Sequence, residues 1–272
     1  MLHVVKAHAY GNDFLLADAE AAGDRDAGAL ARAICDRQTG IGADGLILHS
    51  PATGGAAMRL LNADGSRSEV SGNGVRCLAA WLVETGRVTA GAPVAIRTEA
   101  GDKRLELVRR DGRRLTFRAA MGPPTDLMQR RLAVGGDELT VVTLRVGNPQ
   151  CVLLGEASDA RLRRFGLALA THPAFPEGTN VELAAVEAPN RVRILIWERG
   201  VGPTRASGTG ACAAAVAAAA FGGAGRDVEV VSPGGTQQVE WRDEGIYLTG
   251  WAEVIMEGRW LGRTGDRTTA DA

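Results

Sequence analysis

Two short phrases in this 272-residue chain hold the residues best placed to do chemistry. Ser71-Gly72-Asn73-Gly74 runs into Val75-Arg76-Cys77-Leu78-Ala79-Ala80, and Ser207-Gly208-Thr209-Gly210 runs into Ala211-Cys212-Ala213-Ala214-Ala215-Val216. Each reads as a glycine turn opening a helix. The first N–H groups of a helix lack internal partners and carry partial positive charge, so each turn is a ready anion site. An ordinary capped helix gives the same local pattern. Its recurrence at matching places in two halves points to a duplicated fold that grips one anionic group from both sides.

Further phrases place polar residues at the ends of apolar runs: Gly11-Asn12-Asp13-Phe14, Asn62-Ala63-Asp64-Gly65, Gly147-Asn148-Pro149-Gln150-Cys151, Phe175-Pro176-Glu177-Gly178-Thr179-Asn180 and Trp197-Glu198-Arg199-Gly200. The asparagines read equally as turn formers or as neutral donor–acceptor groups around a zwitterion, with Arg199 for a carboxylate and Glu198 for an ammonium. Local pattern leaves both open. His8, His49 and His172 show no metal spacing and read as structural. Cys35, Cys77, Cys151 and Cys212 form neither a metal-ligand nor a dense disulfide pattern. Lys6 and Lys103 are the only lysines, which argues against a pyridoxal phosphate Schiff base.

These groups need a scaffold to position them. The length suits one large domain or two ordinary ones, and 45% hydrophobic residues suffice for real cores. A net charge of −1 gives no electrostatic case for nucleic acid or membrane partners. The start lacks a signal-peptide core and the apolar run 211–221 is too short to span a bilayer, so a cytoplasmic protein is expected. Strand-like runs fall at 2–5, 14–18, 46–48, 58–61, 94–97, 105–108 and 115–119, then at 139–146, 151–154, 180–184, 192–197, 228–231, 237–241 and 246–251. Their Gly, Pro and Asp punctuation has the spacing of antiparallel hairpins. Helices are predicted over 27–37, 74–85, 159–171 and 210–220, with Gly86 stopping the second. A boundary is expected near Gly122-Pro123-Pro124, and the polar tail after Gly262 reads as disordered.

Taken in order, Gly11-Asn12-Asp13-Phe14, Cys35-Asp36-Arg37-Gln38-Thr39-Gly40-Ile41-Gly42-Ala43-Asp44-Gly45, Asn62-Ala63-Asp64-Gly65-Ser66, Gly72-Asn73-Gly74-Val75-Arg76-Cys77, Phe175-Pro176-Glu177-Gly178-Thr179-Asn180-Val181, Glu198-Arg199-Gly200-Val201-Gly202 and Gly208-Thr209-Gly210-Ala211 span nearly the whole chain. Together they closely resemble the diaminopimelate epimerase family. The resemblance implies an α+β fold of two pseudo-symmetric domains, each a barrel-like, mostly antiparallel sheet around a central helix, with the active site in the cleft between them. The halves would be residues 1–120, completed by about 257–272, and 121–256. It also implies a homodimer and a small amino-acid substrate, with no metal or other cofactor. The reaction would interconvert LL- and meso-diaminopimelate, supplying lysine and peptidoglycan precursors. In the family one cysteine thiolate removes the α-proton and a second thiol on the opposite face returns one. Carried over by position, Gly72, Asn73, Gly208 and Thr209 would hold the α-carboxylate and its developing charge. Asn12, Asn62, Asn148, Asn180, Glu198 and Arg199 would read the substrate, particularly its distal end.

The chain departs from the family pattern where the chemistry is done. Ser71 and Ser207 stand at the two acid–base cysteine positions, Gln150 replaces a usual histidine and Pro203 a usual glutamate. A thiol of pKa about 8.5 is partly ionised at neutral pH, whereas an alcohol ionises more like water at about 15.7. That gap of about 7 units costs roughly 10 kcal/mol to form the base. Cys77 and Cys212 lie about a turn and a half into their helices, pointing to the core, and Cys151 adjoins the site by sequence on one face only. Three readings follow: an epimerase working through Ser71 and Ser207 or recruiting water or Cys151, a binding protein for a diaminopimelate-like amino acid, or a related isomerase or dehydratase needing one weak base.

Overall fold

The computed structural model describes residues 1–89 and 91–262; the tail after Gly262 lies outside the described residues. The chain divides into two compact units, Met1–Leu115 with the described strand from Trp251, and Thr116–Gly250.

In the first unit, β1 (Leu2–Ala9) and β2 (Asn12–Asp18) form an antiparallel hairpin. Its turn, Tyr10-Gly11, takes φ of 58° and 87°. Helices α1 (Ala19–Ala22) and α2 (Ala27–Cys35) carry the chain across to β3 (Gly45–Ala52), parallel to β2. β3 turns back into β4 (Gly55–Asn62), which also pairs with the short β5 (Arg67–Ser68). Helix α3 (Gly72–Glu84) is a second crossover, returning the chain to β6 (Val94–Thr98) parallel to β4. β7 (Gly101–Asp111) pairs antiparallel with β6, and β8 (Arg114–Gly122) follows.

The second unit repeats this order. β9 (Thr125–Val134), β10 (Asp137–Arg145) and β11 (Pro149–Leu154) are successive antiparallel strands. Helix α4 (Asp159–Ala170) crosses to β12 (Asn180–Ala188), parallel to β11. β13 (Arg191–Glu198) pairs with β12 and with the short β14 (Gly202–Thr204). Helix α5 (Gly208–Phe221) then crosses to β15 (Asp227–Ser232), parallel to β13. β16 (Gly235–Arg242) and β17 (Gly245–Trp260) close the series. The start of β17 pairs with β16, while its last residues pair with β1.

Each unit is thus a barrel-like sheet around one central helix, and the two are pseudo-symmetric repeats. Every run predicted as a strand is one, and the four predicted helices form. The parallel pairings β2–β3, β4–β6, β11–β12 and β13–β15 interrupt the expected hairpin series because a helix lies between the strands of each pair. Strand β9 has no expectation behind it: most of its side chains are exposed, so no apolar alternation announces it. The ladder to β10 defines it instead.

Strand alternation sorts the second core into two layers. Ala184 of β12 and Val152 of β11 pack with α5, while Val181, Leu183, Cys151 and Leu153 pack with α4 residues Phe165 and Leu169. Residues 208–218 of α5 are buried without exception, so this helix is enclosed on all sides. Among the described residues no helix is long and apolar enough to cross a membrane.

Helix α4 lies against β13 through Gly166, where a β-carbon would stand 2.6 Å from Cε3 of Trp197. Gly166→Ala is therefore expected to force the indole or the helix aside. The cost should be about 1–3 kcal/mol, as for other overpacked cores, measured by urea denaturation against the unaltered chain.

Candidate functional site

Ser71 is the N-cap of α3, in extended conformation, and its Oγ accepts the Gly74 N–H at 3.2 Å. Ser207 caps α5 in the same way, with Oγ accepting the Gly210 N–H at 3.2 Å and lying 3.5 Å from Thr209 Oγ1. Ahead of each capped N–H stand those of residues 72 and 73, and of 208 and 209, at the positive end of the helix dipole. Both predicted helix mouths are therefore built, one in each unit. An anionic carboxylate or a developing enolate is the charge they suit.

In the first unit a continuous polar chain backs the mouth. Asn73 donates to Asn12 Oδ1 at 3.1 Å, and Asn12 donates to Asp44 Oδ2 at 2.7 Å. The buried guanidinium of Arg76 donates to Asn73 Oδ1, fixing which way that amide points. Arg37 bridges Asp44 and Asp13 at 2.8 and 2.7 Å, and Lys6 reaches Asp13 at 3.0 Å. Burial by itself would raise the Asp13 pKa, but the hydrogen bonds from Arg37 and Lys6 outweigh it and hold the carboxyl below its ordinary value. Asn62 stands apart from this chain. Its side chain donates to Ser66 Oγ at 2.9 Å within a turn, while the next residue, Ala63, donates its N–H to the Asp44 carbonyl.

In the second unit Asn180 Oδ1 accepts the Arg199 N–H at 2.9 Å, and the Arg199 guanidinium donates to the Glu177 carbonyl at 2.7 Å. Asn148 accepts from the amide of Gln150, whose own Oε1 is buried without a partner. Gln150 also walls a cavity of about 400 Å³ bounded by Arg145, Phe175 and Pro176. Neither serine lines it. Glu198 closes β13 beside Arg199.

The four cysteines are buried, and none is paired in a disulfide. Cys77, Cys151 and Cys212 are fully buried, and burial pushes the Cys77 and Cys151 thiols well up. Strand alternation decides which way Cys151 faces. It turns to the α4 layer, whereas its neighbours Gln150 and Val152 take the face of β11 directed at α5. Among the described residues no group of three or more His, Cys, Asp or Glu could hold a metal ion.

Sequence reasoning missed the most unusual group near the second mouth. Glu182 lies on β12 two residues beyond Asn180, on the face that packs against α5. It is fully buried and neither carboxyl oxygen has a hydrogen-bond partner. Burial, and then the charge of Glu198, raise its pKa well above the ordinary carboxylate value. The available signal was an acid two residues after Asn180, on the same strand face and set among Val181, Leu183 and Ala184. Asp44 and Arg76, both inside quoted motifs, were likewise given no role.

A sequence model of the family described as diaminopimelate epimerase matches residues 4–127 and 142–255. A diaminopimelate epimerase of Desulforudis audaxviator is 40% identical over 96% of this chain and 99% of its own length. One from Pelotomaculum thermopropionicum is 38% identical over 97% and 100%. Solved structures of similar fold include a probable proline racemase of Agrobacterium radiobacter, with TM-score 0.76 and 19% identity over 98% of this chain and 94% of that one. A predicted epimerase of Pseudomonas aeruginosa aligns with TM-score 0.74 and 15% identity over 97% and 100%.

The buried acid sets a pH dependence. The native Glu182 carboxyl holds its proton more tightly than the unfolded one, with its ordinary pKa of 4.5. Its contribution thus favours the fold fully below about that value and is lost as pH rises through the native pKa. Thermal melts from pH 4 upward should show this loss. Glu182→Leu should abolish this component and raise neutral-pH stability by about 1–3 kcal/mol, the usual cost of a buried unpaired polar group.

Proposed function

Because the chain belongs to the diaminopimelate epimerase family, we propose that it interconverts LL- and meso-diaminopimelate without a cofactor, with Ser71 and Ser207 in the acid–base positions. The observation that carries this reading is the pair of glycine-led helices with serine caps, together with a relationship that covers almost the whole chain. Gly72, Asn73, Gly208 and Thr209 hold the α-carboxylate and take up the negative charge that grows on it when the α-proton leaves. Asn12, Asn62, Asn148, Asn180, Glu198 and Arg199 read the rest of the substrate. Arg199 suits a carboxylate and Glu198 an ammonium. The same reading assigns the protein to lysine and peptidoglycan precursor synthesis in the cytoplasm, as a homodimer.

A second reading is favoured by the serines themselves. Each Oγ serves as a helix-cap acceptor, and an alcohol is a far weaker acid than a thiol. A protein that binds a diaminopimelate-like amino acid and transfers its proton slowly or not at all would carry the same residues.

The deciding experiment is α-proton exchange in D₂O with LL- and meso-diaminopimelate, followed by NMR, for the natural chain and the Ser71→Cys/Ser207→Cys variant. Slow exchange with interconversion by the natural chain is the expected result. The cysteine pair should accelerate it by about 10²-fold or more, the scale of a well-matched acid–base group. Binding without exchange by the natural chain, rescued by the cysteines, would establish the second reading.

A further inference from the structure

The two repeats differ at one atom position beside their helix mouths. Gly74 and Gly210 each stand three residues beyond the capping serine. A β-carbon on Gly74 would meet Cδ1 of Ile47 at 3.1 Å, whereas one on Gly210 would meet Oε1 of Glu182 at 2.6 Å. Ile47 lies on β3 and Glu182 on β12, the strands that hold the same place in the two repeats. One repeat therefore packs a methyl against the first turn of its helix and the other packs a carboxyl. The same point above Gly210 is 3.2 Å from Ser207 Oγ, so acid and hydroxyl flank the space that glycine leaves, with no hydrogen bond between them before substrate binds.

A methyl there would be cheap, and an unpartnered buried carboxyl is costly. Glu182 is enclosed by Ile196 of β13 and Val152 of β11. The other ionisable groups on the strands and helix around it are Arg191, Arg193 and Glu198 of β13, Cys151 turned to the far layer, and Cys212 deeper in α5. The two arginines are spent on Glu187, Glu229 and the Ala157 carbonyl, so neither neutralises it.

We propose that Glu182 is the proton acceptor and donor behind Ser207, making the hydroxyl a relay in place of a thiol. This rests on the epimerase reading above. On the Ser207 side the Cα–H bond breaks, its electron pair stays on the substrate as the enolate, and the proton passes to Ser207 Oγ. The hydroxyl's own proton moves in the same step to the Glu182 carboxylate. Reversal returns a proton to carbon from Ser207, and Glu182 restores the hydroxyl. No alkoxide is formed, and no oxidant or reductant is required. Glu182 does not touch the substrate; it acts through Ser207 as a positioning residue.

The test compares deuterium incorporation into LL- and meso-diaminopimelate in D₂O by the natural chain, Glu182→Gln, Glu182→Leu and Ser207→Cys with and without Glu182→Gln. The relay requires Gln and Leu to lower kcat for exchange by about 10²-fold or more, the range for loss of an acid–base group, with KM unchanged. The leucine variant is expected to be more stable than the natural chain, so its loss cannot come from unfolding. With Ser207→Cys the thiolate is its own base, and adding Glu182→Gln should cost little. Equal exchange by the natural chain and Glu182→Gln would overturn the relay and leave the epimerase reading standing. An equal loss in the cysteine background would also overturn it, because the carboxyl would then serve structure alone. Absence of exchange by the natural chain with both isomers would overturn relay and epimerase reading together.

Discussion

A helix with no polar face has to be buried on every side, and α5 is such a helix. From Ala211 to Ala218 it offers only alanine, one cysteine and one valine, all buried. Small side chains let strands approach closely from all directions, so β10 to β13 and β15 to β17 wrap it rather than lie as a flat layer. α3 meets the same demand with a mixed set of side chains, including a buried Arg76 whose charge is spent on Asn73 and the face of Tyr10. Once a helix is enclosed, its first turn is the place where its unpaired N–H groups meet anything other than sheet. The geometry of both sites follows from that enclosure.

The duplicated helix mouths, the strand-rich repeats and four of the five described helices, all but the one-turn α1, were legible because each has a local physical signature. Glycine turns, apolar alternation and cap residues act over a few positions, and the chain carries them plainly. The parallel pairings were less legible, since a crossover helix separates partners that no local rule connects. Strand β9 was invisible for the opposite reason: its side chains report solvent, and only its backbone reports β10.

The candidate site was legible in type but not in wiring. Asn12 and Asn73 were marked as polar residues at strand and helix ends, and the structure joins them in one chain through Asp44 and Arg76. Asn62 behaves as the turn former that local pattern also allowed. Glu182 escaped because an acid in a strand ordinarily faces water; only the register that turns Asn180 and Ala184 toward α5 makes it an interior group. The thiol question divided in the same way. The helical offset placed Cys77 and Cys212 in the core, but the orientation of Cys151 depended on which layer β11 presents to which helix.

Serine at each cap has a consequence for how such a protein changes over generations. A hydroxyl oxygen is a strong N-cap acceptor, and here each one secures a helix on which a whole core is built. Serine at these points is therefore favoured by the fold itself, whatever chemistry the position serves. Folding alone is sufficient reason for a hydroxyl to persist at each cap. Any demand that turnover places on these two positions is a separate constraint, laid over one that the helix cap already imposes.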